Sequence, residues 1–209
     1  MRVFHFLNEE YGLKALRDRR LKISRIHELN DPFEFLGVEL SDREFRKALK
    51  RTKDQLSEGR GLLCFSEDWR NPVLWSHYAD KHRGLCLGFD FRDDLLQRVT
   101  YVNSRLPKPK ELDEAFVKKL LFTKFAHWSY EAEYRAYVTL DTPIEGIYYK
   151  EFSHEFLLRQ VIVGAESKVT RAQVAAALGS STDSVEAFKV RAAFRSFGIV
   201  RQKNELLWA

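Results

Sequence analysis

The chain has two cysteines, one methionine and five prolines in 209 residues. Two thiols, Cys64 and Cys86, are too few for a disulfide framework, and their spacing is not that of a zinc pair. His77 and His82 lie five apart, which does not match a helical metal pair, so no metal site is expected. No apolar run approaches the ~18–20 residues of a membrane helix. The opening MRVFHFLNEEYG lacks the long apolar stretch of a secretory signal. A cytoplasmic, reducing setting with no membrane partner is the expectation. There is no G-x-S-x-G around a serine, no glycine-rich phosphate loop, no zinc finger and no RNA-binding motif. Internal repeats and low-complexity tracts are also missing.

What is present is a globular composition. Hydrophobic residues make up 44% and charged residues 31%, which excludes a disordered chain. At this length a core can form without staples. The net charge of +5 favours anionic partners without naming one. Sixteen Phe, eight Tyr and four Trp must mostly be core, and some can wall a cleft.

The pattern predicts one α+β domain over 1–209, with a split or strongly bent, mostly antiparallel sheet flanked by helices. Val3–Leu7 reads as a strand bearing His5. Asn8 caps a helix with Glu9 and Glu10 in its first turn, and Leu21–Ile26 is a second strand. Asn30-Asp31-Pro32 forms a turn flanked by Leu29 and Phe33. Ser41 and Glu44 read as a capping box opening a helix over 42–58, with Phe45, Ala48, Leu49 and Leu56 inward. Leu62–Ser66 is a buried strand. Asn71-Pro72 starts a short helix running to about Arg83 and stopped by Gly84. Leu85–Phe89 and Val99–Val102 are strands. Glu111 to about His127 is helical. Tyr134, Ala136, Val138 and Leu140 alternate as the core face of a half-buried strand. Gly146–Phe152, Gln160–Gly164 and Val185–Arg191 are later strands, and Thr170 caps a helix ended by Gly179.

The segment from Trp128 to Arg135 concentrates chemistry. In a strand, Glu131, Glu133 and Arg135 share one face, either as a solvated face of compensating charges or as the wall of a cleft lined by Trp128, Tyr130, Tyr134 and Tyr137. A Glu-x-Glu strand suits cleavage of a sugar C1–N bond. One carboxylate stabilises the oxocarbenium charge and the other activates the nucleophile. On that expectation Glu133→Gln leaves the fold intact and lowers turnover. His5 sits on an otherwise apolar strand, and Ser66 ends another. Trp75 and Tyr78, at i and i+3, share a helix face that packs in the core or stacks on a planar ligand. Cys64 and Cys86 read as inert core thiols. Glu34 is expected to face the cleft, with its loop packed on the strand of Glu133. Arg43, Arg46, Lys47, Lys50, Arg51 and Lys53 form a basic helix face, a candidate for nucleic acid or simply a solvated surface.

Five blocks occur in order: Asn30-Asp31-Pro32-Phe33-Glu34; Cys64-Phe65-Ser66-Glu67; Leu74-Trp75-Ser76-His77-Tyr78-Ala79 with Gly84 to Asp90; Trp128 with Tyr130-Glu131 and Glu133-Tyr134-Arg135; and Val161 to Gly164. Together they resemble a widespread bacterial and phage-associated family defined only as a domain of unknown function. The layout is more distantly similar to ADP-ribosyltransferases. That likeness implies NAD as a substrate, with His5 on its ribose and Ser66 or Tyr78 shaping the nicotinamide pocket. It implies Glu133 as the catalytic carboxylate and Glu131 activating the acceptor; Arg135, on the same strand face, is expected to orient the pair and contribute to cofactor binding. It also implies a role in phage defence or a toxin system. A non-enzymatic module binding nucleic acid or another anionic partner is the alternative.

Overall fold

The structure is a computed structural model that describes residues 1–208. In chain order its regular elements are β1 (Arg2–Leu7), α1 (Glu9–Asp18), β2 (Arg20–Lys22), β3 (Ser24–Arg25), α2 (Arg43–Gly59), β4 (Arg60–Ser66), α3 (Pro72–Tyr78), β5 (Leu85–Phe91), β6 (Gln97–Arg98), β7 (Thr100–Val102), α4 (Glu114–Leu121), β8 (Thr123–Phe125), β9 (Glu133–Thr139), β10 (Tyr149–Glu151), β11 (Phe156–Val163), α5 (Arg171–Leu178), β12 (Glu186–Ala192) and β13 (Ile199–Arg201). The fold is α+β with a mostly antiparallel mixed sheet. No helix among the described residues is long and apolar enough to cross a membrane. The chain forms two compact units, each assembled from separated segments: Met1–Leu21, Phe65–Asp93 and Glu151 onward in the first, Lys22–Cys64 and Asp94–Lys150 in the second.

In the first unit the strand order is β13-β12-β11-β5-β1. Only β11 and β12 run parallel, and the chain between them forms α5, as a parallel connection requires. Phe4, Trp69, Trp75, Cys86, Ile162, Phe188 and Ile199 make one apolar cluster there. Gly84 and Gly164 are forced by close approach: a Cβ on the first would stand 2.0 Å from the Leu7 carbonyl oxygen, and one on the second 2.1 Å from that of His82. In the second unit β3, β4, β9 and β6 are neighbours, with β7 and β8 as a separate parallel pair. Its core gathers Ile26, Phe35, Val38, Leu49, Val117, Leu120 and Phe122.

Several boundaries differ from the sequence reading for identifiable reasons. The cap of α2 is Asp42, whose side chain accepts from the Glu44 and Phe45 amides, rather than Ser41. Ala48 faces solvent, so the buried face of α2 is narrower than expected. Helix α3 ends at Tyr78 instead of near Arg83, because Asp80, Lys81 and His82 take left-handed backbone angles with φ of 43°, 54° and 68°. The helix expected to reach His127 stops at Leu121. Thr123 then donates its hydroxyl to the Lys119 carbonyl, and β8 pairs with β7 instead. Glu131 closes a 3₁₀ turn and lies outside the strand, which begins at Glu133.

Candidate functional site

The second unit carries a buried ionic cluster. Arg135 leaves β9 pointing inward and is 1% exposed, so the strand face that the alternation assigned to polar residues is interior. All five of its N–H donors are used. Nε donates to Glu133 Oε1 at 2.7 Å and Nη2 to Glu133 Oε2 at 3.0 Å. Nη2 also donates to Glu34 Oε1 at 2.5 Å, and Nη1 to Glu34 Oε2 at 3.0 Å and to the Leu121 carbonyl at 2.6 Å. Lys124 enters from β8. Its Nζ stands 2.6 Å from Glu131, 3.4 Å from Glu133 and 3.5 Å from Glu34. The Tyr101 hydroxyl accepts from the Glu133 amide at 2.9 Å.

Burial alone would favour the neutral forms of Glu133 and Lys124, and the pairing reverses that. Burial opposes charge on Glu133, but the Arg135 guanidinium and Lys124 ammonium hold its carboxyl below the ordinary carboxylate range. Burial likewise works against the Lys124 ammonium, and Glu133, Glu131 and Glu34 together raise its pKa. Around the cluster the neutral forms win. Burial pushes the Tyr101 hydroxyl up to about 12. Burial and the Glu133 charge push the Cys64 thiol well above its usual value.

Beside the cluster lies a cavity of about 320 Å³, at the small end of the range for ligand sites. Asp31, Glu34 and Lys124 lie on its wall, and Phe33, Phe125 and Trp128 are its aromatic sides. Phe33 and Phe125 are largely exposed, while Lys124 sits 4.7 Å over the Trp128 ring. Arg105 stands exposed at the rim. Asp31 is buried and accepts from the Phe33 amide through Oδ1, and among the described residues no cation lies within ion-pair distance of it. Four buried carboxylates, Asp31, Glu34, Glu131 and Glu133, therefore face two buried cations, both of which are already engaged. Beside the cavity, buried carboxyl groups therefore outnumber buried cations among the described residues.

Glu34, Glu131, Glu133 and Arg135 thus come together as a group, and the loop of Asp31 packs with them. Glu34 is on the cavity wall, whereas Glu131 and Glu133 stand behind it, joined to it through Lys124 and Arg135. Four other sequence-derived candidates belong to the first unit. The half-buried His5 ring meets Phe65 edge-on at 5.7 Å. The Ser66 hydroxyl donates to the Asp68 carbonyl and accepts its amide, closing a local turn. Trp75 is fully buried, with Nε1 donating to the Trp69 carbonyl at 2.6 Å. Tyr78 lines an open cleft with Glu9, Glu10, His77 and Asp80. Sequence reasoning missed Lys124 altogether. Its signal was a single lysine in the otherwise uncharged run Leu120–Trp128, where a solvated helix face would carry more charge.

The basic face of α2 is partly committed. Arg46 donates to the Leu40 and Ser41 carbonyls, Lys47 pairs with Glu44, and Lys53 donates to the Glu34 carbonyl at 3.0 Å. Arg43, Lys50 and Arg51 are exposed and have no ion-pair partner among the described residues.

Comparison with family models, with curated proteins and with solved structures yields no match to this chain.

Proposed function

We propose that the protein consumes NAD, as an ADP-ribosyltransferase or NAD hydrolase, and that the aromatic cavity of the second unit receives the nicotinamide end. The observation that carries this reading is the surplus of buried carboxylate beside an aromatic-sided cavity. A pyridinium ring is flat and positively charged. It suits both the ring faces of Phe33, Phe125 and Trp128 and the carboxyl group of Asp31, which has no cation partner among the described residues. The exposed Arg105 guanidinium suits a phosphate at the rim.

In that reading the C1–N bond breaks with its electron pair leaving on the nicotinamide nitrogen. The Glu34 carboxylate on the wall stabilises the charge left on the ribose carbon. Water or an acceptor hydroxyl bonds to that carbon and releases its proton to solvent. Arg135 and Lys124 hold the Glu34 side chain in place, and Glu131 and Glu133 act as positioning residues through those two cations. The test is chromatographic detection of nicotinamide released from NAD, with and without nucleic-acid acceptors, alongside calorimetric titration. Absence of both binding and release overturns the reading.

These three exposed cations of α2 favour a second reading, in which the chain binds an anionic polymer there. Replacing Arg43, Lys50 and Arg51 together by Gln then flattens the salt dependence of binding, and an unchanged slope returns that face to a solvated surface.

A further inference from the structure

The turn between β12 and β13 exposes two aromatic rings that nothing in the first unit covers. Ala193–Gly198 closes this hairpin, with the Ala193 amide donating to the Gly198 carbonyl at 2.9 Å. Phe194 is 87% exposed and Phe197 98% exposed at its tip. Large apolar side chains are rarely left so open, and two of them on one tight turn mark a contact surface. The Arg191 guanidinium lies 3.9 Å over the Phe194 ring, so that ring already has a planar cation on it.

The charge around the turn is one-sided. Between Glu186 and Glu205 the sequence holds Lys189, Arg191, Arg195, Arg201 and Lys203 and no acidic residue. Lys189 is occupied by the Ser167 carbonyl and Arg201 by Glu186. Among the described residues, Arg191, Arg195 and Lys203 have no carboxylate partner. The surface therefore fits an occupant that offers flat apolar faces and regularly spaced negative charge.

We propose that this hairpin binds single-stranded nucleic acid, with bases stacked on Phe194 and Phe197 and phosphates held by Arg191, Arg195 and Lys203. Stacking on aromatic side chains combined with a cationic track is the general physics of sequence-tolerant single-strand binding. An anionic bilayer is disfavoured by the order of residues at the tip. Arg195 and Ser196 lie between the two phenylalanines, so inserting both rings would carry a guanidinium into the apolar layer. The inference does not depend on NAD chemistry and concerns a hairpin of the first unit, whereas α2 belongs to the second.

The test is fluorescence anisotropy of the full chain with labelled 12-nucleotide DNA and RNA single strands at two salt concentrations. Wild type is expected to bind, more tightly at low salt. The double substitution Phe194→Ser and Phe197→Ser is expected to weaken binding by at least about tenfold, with an unchanged melting temperature because both rings are solvent-exposed. Arg195→Gln is expected to lower the salt slope by about 0.7. The proposal is overturned by no binding by wild type, by unchanged affinity in the double variant, or by capture by phosphatidylserine vesicles through the same two rings while the oligonucleotides do not bind. Loss of binding in the α2 triple variant but not in the hairpin variant also overturns it.

Discussion

Glu34 and Arg135 are 101 residues apart in the chain, yet both terminal nitrogens of the guanidinium donate to both oxygens of that carboxylate, at 2.5 and 3.0 Å. This bidentate pair ties the Asn30–Glu34 loop to β9 and turns a surface-looking motif into the interior of the second unit.

Removing the guanidinium leaves Glu34 and Glu133 buried with one cation, Lys124, between them. Arg135→Met is expected to cost about 3–5 kcal/mol, and Arg135→Lys nearly as much, because an ammonium cannot reproduce the fork. Urea denaturation of the three proteins checks this. A loss below about 1 kcal/mol in either variant would mean that the cluster does not hold the unit together.

Acid should dissolve the cluster. The folded carboxyl of Glu133 titrates below its unfolded value of about 4.3, so its stabilising contribution is complete above that pH and disappears as pH falls through the lower folded value. Melting temperature measured from pH 6 to pH 3 is expected to drop more steeply for wild type than for Glu133→Gln. Identical slopes would remove Glu133 from the acid response. The same burial means that Glu133→Gln disturbs Arg135 and Lys124 as well as any chemistry, so it does not probe turnover alone as the sequence had suggested.

A cleaner probe of the cavity is Phe33, which is 63% exposed on its wall. Phe33→Ser is expected to leave the melting temperature within about 1 °C and to weaken NAD binding by roughly tenfold, comparable to losing one cation–π contact and the buried ring area. Titration calorimetry decides it, and unaltered affinity in a folded variant would detach the cavity from the ligand.

The thiols should be silent in the folded chain. Burial raises the pKa of both Cys64 and Cys86, so little thiolate exists at neutral pH. Reaction with a thiol-specific disulfide reagent at pH 7 is expected to be slow in buffer and to release two equivalents promptly in denaturant. Rapid labelling of the native protein would contradict this placement.

Gly84 allows the chain to pass against β1, and a methyl group there would overlap the Leu7 carbonyl. Gly84→Ala is expected to destabilise by about 1–3 kcal/mol, read from the urea midpoint. An unchanged midpoint would show that β1 can yield.

The sequence by itself determined the elements whose signals are local. Asn8, Asn71 and Thr170 cap the helices they were expected to cap, since a cap needs only a side-chain oxygen and the next two or three amides. The α+β class and the mostly antiparallel sheet followed from strand periodicity and short connections. The tertiary structure decided which polar face is wet. Period-two alternation places Glu133 and Arg135 together but is blind to whether another element covers them. The cover comes from the Asp31–Glu34 loop and from Lys124, brought in by long-range pairing that no local pattern encodes. It was also tertiary structure that ended α4 early, because β8 satisfied its backbone on β7 instead of continuing a helix. Charge neutralisation at a distance turned a hydrophilic strand face into an interior one, and that depends on where the partners sit in space rather than where they fall in the chain.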